Sequence, residues 1–292
     1  MLSNAERGCA SAKDRLEPKE ADTGQTNVFR KSGTFCGIER KASPTSVGKK
    51  GARLEALGLF KGAVPNRSWK PGKVWCARDG IFPHTPKCLN EHAPYESSLE
   101  ALAHLHLSVD CRITQYVCQP PALYYWMPTE SEGVVKREYN ADFVALTTDG
   151  KVIVIDAKAR RFARDSKWAR REPFIREAYY RDHDATLLIW TEKELRAEPR
   201  LTNARTLFRH RFEPTSRTPE IKVRNALVDA GGFSNLADLC REACAAGDIA
   251  VTEAYSAVMR LTLKGELKLC PKERYNAATS VEFRGDPSCD LV

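Results

Sequence analysis

The sequence predicts an α/β protein: a mixed sheet flanked by helices, followed by a smaller, mostly helical module. Three observations carry this. The run Val152-Ile153-Val154-Ile155 is continuously apolar, the mark of a central strand buried on both faces, and it follows a Thr148-Asp149-Gly150 turn. Segments of helical period alternate with segments rich in Tyr, Val and Ile on both sides of that turn. Past residue 219, three helical patterns are followed by two short β-like pieces.

Residues 1–60 are rich in Lys, Arg, Ser, Gly and Ala with little periodicity, and read as a basic, mobile arm. Order is expected to begin near Trp69. Leu99, Leu102, Ala103 and Leu105 suit an amphipathic helix over residues 95–107, with Pro94 just before it. Strands are expected at 113–118 and 122–127, split by Gln119-Pro120-Pro121, and then a hairpin of 139–146 with 151–158. A basic helix over 168–182 and a buried strand over 186–190 complete a first domain spanning 61–212. The Pro-containing stretch 213–219 reads as a linker. It opens a second domain, 213–292, with helices at 221–230, 235–245 and 252–262 and a ribbon at 267–269 and 280–283. Three helices and a small ribbon are winged-helix-like.

The composition is that of a folded protein: 42% of the 292 residues are hydrophobic and 29% charged. No apolar run is long enough to span a bilayer, and the N-terminus lacks a secretory apolar stretch, so neither a membrane partner nor export is expected. The ten cysteines, with no C-x-x-C pair, then read as free thiols of a reducing cytoplasm. The net charge of +8 resides in residues 1–91, which hold 17 Lys/Arg against 9 Asp/Glu. Residues 158–181 add a second basic zone, with nine Lys/Arg and three acids. Either a polyanion partner or a solvated surface accounts for such charge on its own.

The hairpin carries the chemistry. If Gly150 takes the left-handed position of a three-residue loop, Thr147 opposes Lys151, and stepping outward along both strands sets Asp142 opposite Asp156. Directly opposed β-carbons lie about 4.5–5.5 Å apart, so the two carboxylates repel unless a cation sits between them. Lys158, two residues beyond Asp156, points to the same face. A solvated strand end is the bland alternative; register and charge type together favour a site.

An acid on one strand, an acid-x-Lys on the next and a Glu on an earlier helix resemble the PD-(D/E)XK nuclease superfamily, whose fold is the restriction-endonuclease-like mixed sheet. Asp142, Asp156-Ala157-Lys158 and Glu100 supply these, with Ala141 where Pro is usual and Asp156 where Glu is commoner. Tyr95-Glu96-Ser97-Ser98-Leu99-Glu100, Gln119-Pro120, Tyr139-Asn140-Ala141-Asp142, Asp156-Ala157-Lys158 and Thr191-Glu192-Lys193-Glu194 occur in an order similar to the TnsA family, the endonuclease subunits of heteromeric transposases. Lys264-Gly265-Glu266-Leu267 closes the last helix in a similar way.

The resemblance implies an endodeoxyribonuclease that cuts one DNA strand at transposon ends, in the bacterial cytoplasm at the nucleoid. It would work with a DDE-type transposase and an AAA+ ATPase regulator. Mg²⁺, with Mn²⁺ as a substitute, would be held by Asp142, Asp156, Glu100 and the Ala157 carbonyl. Lys158 would position the attacking water, and Glu96 is an alternative to Glu100, one helical turn away. Arg160, Arg161, Arg164, Lys167, Arg170 and Arg171 would contact DNA phosphates. Two other readings stand beside this one: a partner-independent restriction or repair nuclease, and a non-catalytic winged-helix DNA-binding protein.

Other features carry less. Cys76, His84, Cys88 and His92 are zinc-capable, but their spacing fits no common finger. His104 and His106 fall on different helix faces, and Cys240 and Cys244 read as packing thiols. Tyr124, Tyr125 and Trp126 suit a buried sheet face better than base stacking.

Overall fold

The computed structural model describes residues 51, 53–66, 79–129, 133–245 and 247–284, all within one compact unit. Along the chain, β1 (Gly80–Ile81) and β2 (Pro94–Tyr95) pair, and α1 (Ser98–Val109) follows. Next come β3 (Ile113–Cys118), β4 (Leu123–Thr129), β5 (Gly133–Tyr139), β6 (Phe143–Thr147) and β7 (Val152–Ala157). The short α2 (Arg160–Ala163) leads into α3 (Ser166–His183), β8 (Ala185–Trp190), α4 (Glu192–Leu195) and α5 (Arg200–Phe208). The remainder is α6 (Thr218–Asp229), β9 (Phe233–Asn235), α7 (Leu236–Ala243), α8 (Val251–Lys264), β10 (Leu267–Leu269) and β11 (Ser280–Phe283).

The central sheet runs β3-β6-β7-β8, antiparallel in its first two pairings and parallel in the last. A parallel pair needs a crossover, and α2 and α3 provide it. The β6–β7 turn is the one the sequence predicts: Gly150 has φ +79°, and Phe143 pairs with Ile155 and Leu146 with Val152. Alternate side chains of these strands go to opposite faces. Val144, Val154 and Leu187 pack toward Trp168, Ile175 and Tyr179 of α3. Phe143, Ala145 and Ile155 pack toward Leu99, Ala103 and Leu107 of α1. The β4–β5 hairpin is a separate two-stranded sheet whose buried face, Leu123, Tyr125 and Met127, joins the α3 side.

The C-terminal part holds α6, α7 and α8 with a three-stranded antiparallel sheet ordered β10-β11-β9. Val223, Leu227, Val258 and Leu261 belong to the same apolar core as α1 and one face of the central sheet. The stretch 213–219 is therefore not a linker between independent cores: Thr218 and Pro219 open α6, and Glu213 pairs with Lys264 at 3.1 Å. Pro219 suits the first turn of α6, where its missing N–H costs nothing. Behind it, the carboxylate of Glu220, 1% exposed, takes Arg260 at 3.0 Å and Lys264 at 2.9 Å.

Several boundaries move. The helix expected from 95 begins at Ser98, because Ser97 caps it and Pro94-Tyr95 pair with β1. Tyr139 ends β5 rather than opening the β6–β7 hairpin. Leu57 and Leu59, placed by the sequence in a mobile arm, are buried against the α3 side of the sheet, so the arm boundary at 60 is too late. Trp69, the expected start of order, lies outside the described residues. Among the described residues, no helix is long and apolar enough to cross a membrane.

Candidate active site

Asp142 precedes β6 and Asp156 lies on central strand β7, one step beyond the Phe143–Ile155 pair and therefore facing each other. Both are buried, at 9% and 5% exposure. Asp142 Oδ2 accepts the Ala157 N–H at 2.8 Å, which ties the turn before β6 to the end of β7. Asp156 Oδ2 takes two donors, Lys158 Nζ at 2.8 Å and the Tyr139 hydroxyl at 2.5 Å. Lys158 is fixed from both ends: its N–H donates to the Trp190 carbonyl at 2.9 Å, and its ammonium lies 4.4 Å from the centre of the Trp168 ring. That ring also packs on Tyr139, 5.9 Å between centroids.

Burial, then the negative charges of Asp156 and Glu100, push the Asp142 carboxyl well above the usual carboxylate range. Burial and the neighbouring Asp156 charge likewise drive the Tyr139 hydroxyl upward, so it keeps its proton and acts as a donor. Glu100 is buried in the first turn of α1 and accepts the Glu96 N–H at 2.9 Å, whereas Glu96 is exposed. Glu96, expected one helical turn from Glu100, lies before the Ser97 cap and outside the helix, so only Glu100 shares the buried setting of Asp142.

The structure thus brings Asp142, Asp156 and Lys158 together, with Glu100 close enough for its charge to act on Asp142. Their oxygens are hard donors of the kind Mg²⁺ selects. They do not stand as a finished cage: among the described residues, no group of three or more His, Cys, Asp and Glu is arranged to hold a metal ion. Each acid has a partner within the protein: Lys158 and Tyr139 bond Asp156, and backbone N–H groups bond Asp142 and Glu100.

The basic residues divide. Arg160, Arg161, Arg164, Lys167 and Arg170 are exposed along α2 and the start of α3. Arg171 is half-buried, with Nε donating to the Tyr125 hydroxyl at 2.8 Å. Lys167, Arg170 and Arg171 also line a cleft of about 620 Å³ against the β4–β5 hairpin, where Arg137 joins them.

Arg137, Tyr139, Trp168 and Gln119 were not assigned roles by sequence reasoning. Gln119 and Tyr139 carried a signal, the Gln-Pro pair and the stretch leading to Asp142; Arg137 and Trp168 carried none. Tyr125 is buried, as expected for a sheet face, but Tyr124 and Trp126 are 52% and 57% exposed, because the hairpin covers the core with one face only.

Of the zinc-capable set, Cys76 lies outside the described residues, and His84 and His92 are exposed. His104 is buried between the Tyr116 hydroxyl and the Pro94 carbonyl, and burial lowers it to about 3, so it is a neutral core residue. His106 similarly bonds the Leu195 carbonyl at 3.0 Å, and Cys240 is a buried free thiol. Compared with known proteins, the chain matches no protein-family model and no curated protein.

Proposed function

We propose that this chain is a metal-dependent DNA endonuclease of the restriction-endonuclease-like fold, and the nuclease partner in a TnsA-like transposition system. The observation that carries the reading is the facing pair Asp142 and Asp156 at the end of a buried hairpin, with Lys158 on the same face and bonded to Asp156. Carboxylates buried this close, with the proton affinity of Asp142 raised by burial and by its acidic neighbours, are costly to keep unless they serve chemistry.

Asp142 and Asp156, with Glu100 and the Ala157 carbonyl, are the residues that would hold Mg²⁺. When bound, the ion supplies charge neutralisation on the phosphate and a nucleophile from water at neutral pH. Lys158 Nζ, kept in place by Trp168, offers positive charge where the attacking oxygen and the phosphate oxygens gain negative charge. Tyr139 holds the Asp156 carboxylate in one orientation. The exposed arginines of α2 and α3 and the cleft beside them suit a phosphate backbone, which carries no sequence information, so end specificity would come from a transposase. The α6–α8 helices with their three-stranded sheet have the order of a winged-helix module, and would dock the transposase or its AAA+ regulator.

The test is cleavage of transposon-end DNA by the full chain with its cognate transposase and ATPase. Asp142→Ala, Asp156→Ala and Lys158→Ala should each abolish nicking, and Ca²⁺ should support DNA binding without cutting. Cutting by any of these variants, or by wild type in excess chelator, would remove the assignment. Efficient cutting of ends by the chain alone would leave a nuclease but remove the partner.

A further inference from the structure

The β4–β5 hairpin has two unlike faces. Leu123, Tyr125 and Met127 are buried toward α3, and the residues between them, Tyr124 and Trp126, turn the other way and stay exposed. The register sets Lys136 opposite Trp126 and Val134 opposite Pro128, so these exposed side chains share the outer face. Lys136 leans diagonally across it, with its ammonium 4.2 Å from the centre of the Tyr124 ring.

Adjoining rings left in water mark an interaction surface, and the charge around them selects its occupant. The two strands carry two cations, Lys136 and Arg137, and one acid. That acid, Glu138, accepts the Asn140 side-chain N–H at 3.0 Å. Arg137 lies on the far side of the hairpin, where it lines the cleft of about 620 Å³ with Lys167 and Arg170. Positive charge thus flanks the rings on both sides of the hairpin, which favours a polyanion. Aromatic rings beside a basic groove suit single-stranded nucleic acid: phosphates follow the charge, and every base has a face to stack. The location also fits. Tyr139, three residues beyond Lys136 on β5 and roughly 10 Å along the strand, bonds Asp156 through its hydroxyl.

We infer that the outer face of the β4–β5 hairpin is a stacking platform for unpaired bases of DNA, with Tyr124 and Trp126 as the stacking rings and Lys136 meeting the adjacent phosphate. This rests on DNA being the ligand of the function proposed above, and on neither the metal nor cleavage. Duplex DNA is held by its phosphates along α2, α3 and the cleft, and a single-stranded stretch next to it crosses the hairpin. Stacking tolerates any sequence, so the platform selects strandedness and leaves the choice of DNA end to a partner.

The experiment is fluorescence anisotropy of the full chain in excess chelator, so that binding is read without cutting. The probes are fluorescein-labelled oligo(dT) of about 16 nucleotides and a blunt duplex of the same length. Tyr124→Thr and Trp126→Thr delete a ring and keep the preference for strand. Each should weaken oligo(dT) binding by about fivefold or more and leave duplex binding and the melting temperature unchanged. Trp126→Phe keeps a ring, so it should retain the affinity of wild type for oligo(dT) while losing most of the quenching of tryptophan fluorescence that this strand causes. A purely structural Trp126 would not give that signature. Threonine variants that bind oligo(dT) as wild type does, or that lose oligo(dT) and duplex equally, overturn the platform and leave the DNA reading standing. So does a wild type that binds duplex but not oligo(dT). Tighter binding of oligo(U) RNA than of oligo(dT) overturns the assignment to DNA. A wild type that binds neither DNA removes the DNA reading and the platform with it.

Discussion

Replacing Lys158 by Met removes the cation that is bonded to Asp156. In the wild type, its ammonium lies 2.8 Å from Asp156 Oδ2, and the side chains are 22% and 7% exposed. Breaking a buried pair by removing one partner costs about 3–5 kcal/mol, because the remaining charge is left uncompensated. Partial exposure of Lys158 places this case at the low end, about 3 kcal/mol, which includes the contact with the Trp168 ring. Methionine keeps the stem packed on that ring, so little of the loss comes from a cavity. For a folded unit of this size, each kcal/mol moves Tm by about 2–4 °C, so the fall should be about 6–12 °C.

The assay is urea unfolding and thermal melting at neutral pH, with and without Mg²⁺. The variant should be less stable without the ion and regain more stability than wild type on adding it, since a divalent cation replaces the missing charge. It should nevertheless cut no DNA. A Lys158→Met protein that unfolds within about 0.5 kcal/mol of wild type, the scatter of ordinary surface changes, would show that Lys158 does not neutralise a buried pair. Equal Mg²⁺ stabilisation of the two proteins would separate Lys158 from the metal site.

Neutralising Arg160, Arg161 and Arg164 should lower DNA affinity and reduce the salt slope by about 0.9 for each lost phosphate contact; the same should hold for Arg137, Lys167 and Arg170 in the cleft, and an unchanged slope would return either set to the solvated surface. Burial pushes the Glu220 carboxyl up, but hydrogen bonds and charge from Lys264 and Arg260 outweigh it and hold it below its usual 4.5. A depressed carboxylate contributes stability above its unfolded pKa and loses it as pH falls through the folded value, so Glu220→Gln should destabilise by about 3 kcal/mol at pH 7 and the gap should close in acid. A gap that is constant with pH in parallel melts would count against this. Removing residues 213–292 should leave an aggregating remainder, not a folded nuclease, because Val223, Leu227 and Leu261 complete the core behind α1; a soluble, cooperatively melting fragment of residues 44–212 would contradict the shared core.

The sequence by itself determined the hairpin, its register and so the meeting of Asp142 with Asp156. Each of these follows from a local rule: the left-handed position of Gly150, the apolar run of β7 and the two-residue period of a strand. It also determined that Lys158 shares a face with Asp156, and that helices and a ribbon occupy the C-terminal part. Only the tertiary structure decided what meets that face. Tyr139 reaches Asp156 because the chain leaves β5 and re-enters at β6, and Trp168 lies against Lys158 because α3 crosses over to make β8 parallel. That Glu100 is buried and Glu96 exposed, and that Gln119 takes a left-handed turn, were likewise decided only in the folded chain. Periodicity fixes which side of an element is apolar. Which two sides come together depends on contacts between residues far apart in the chain, and no local pattern encodes those.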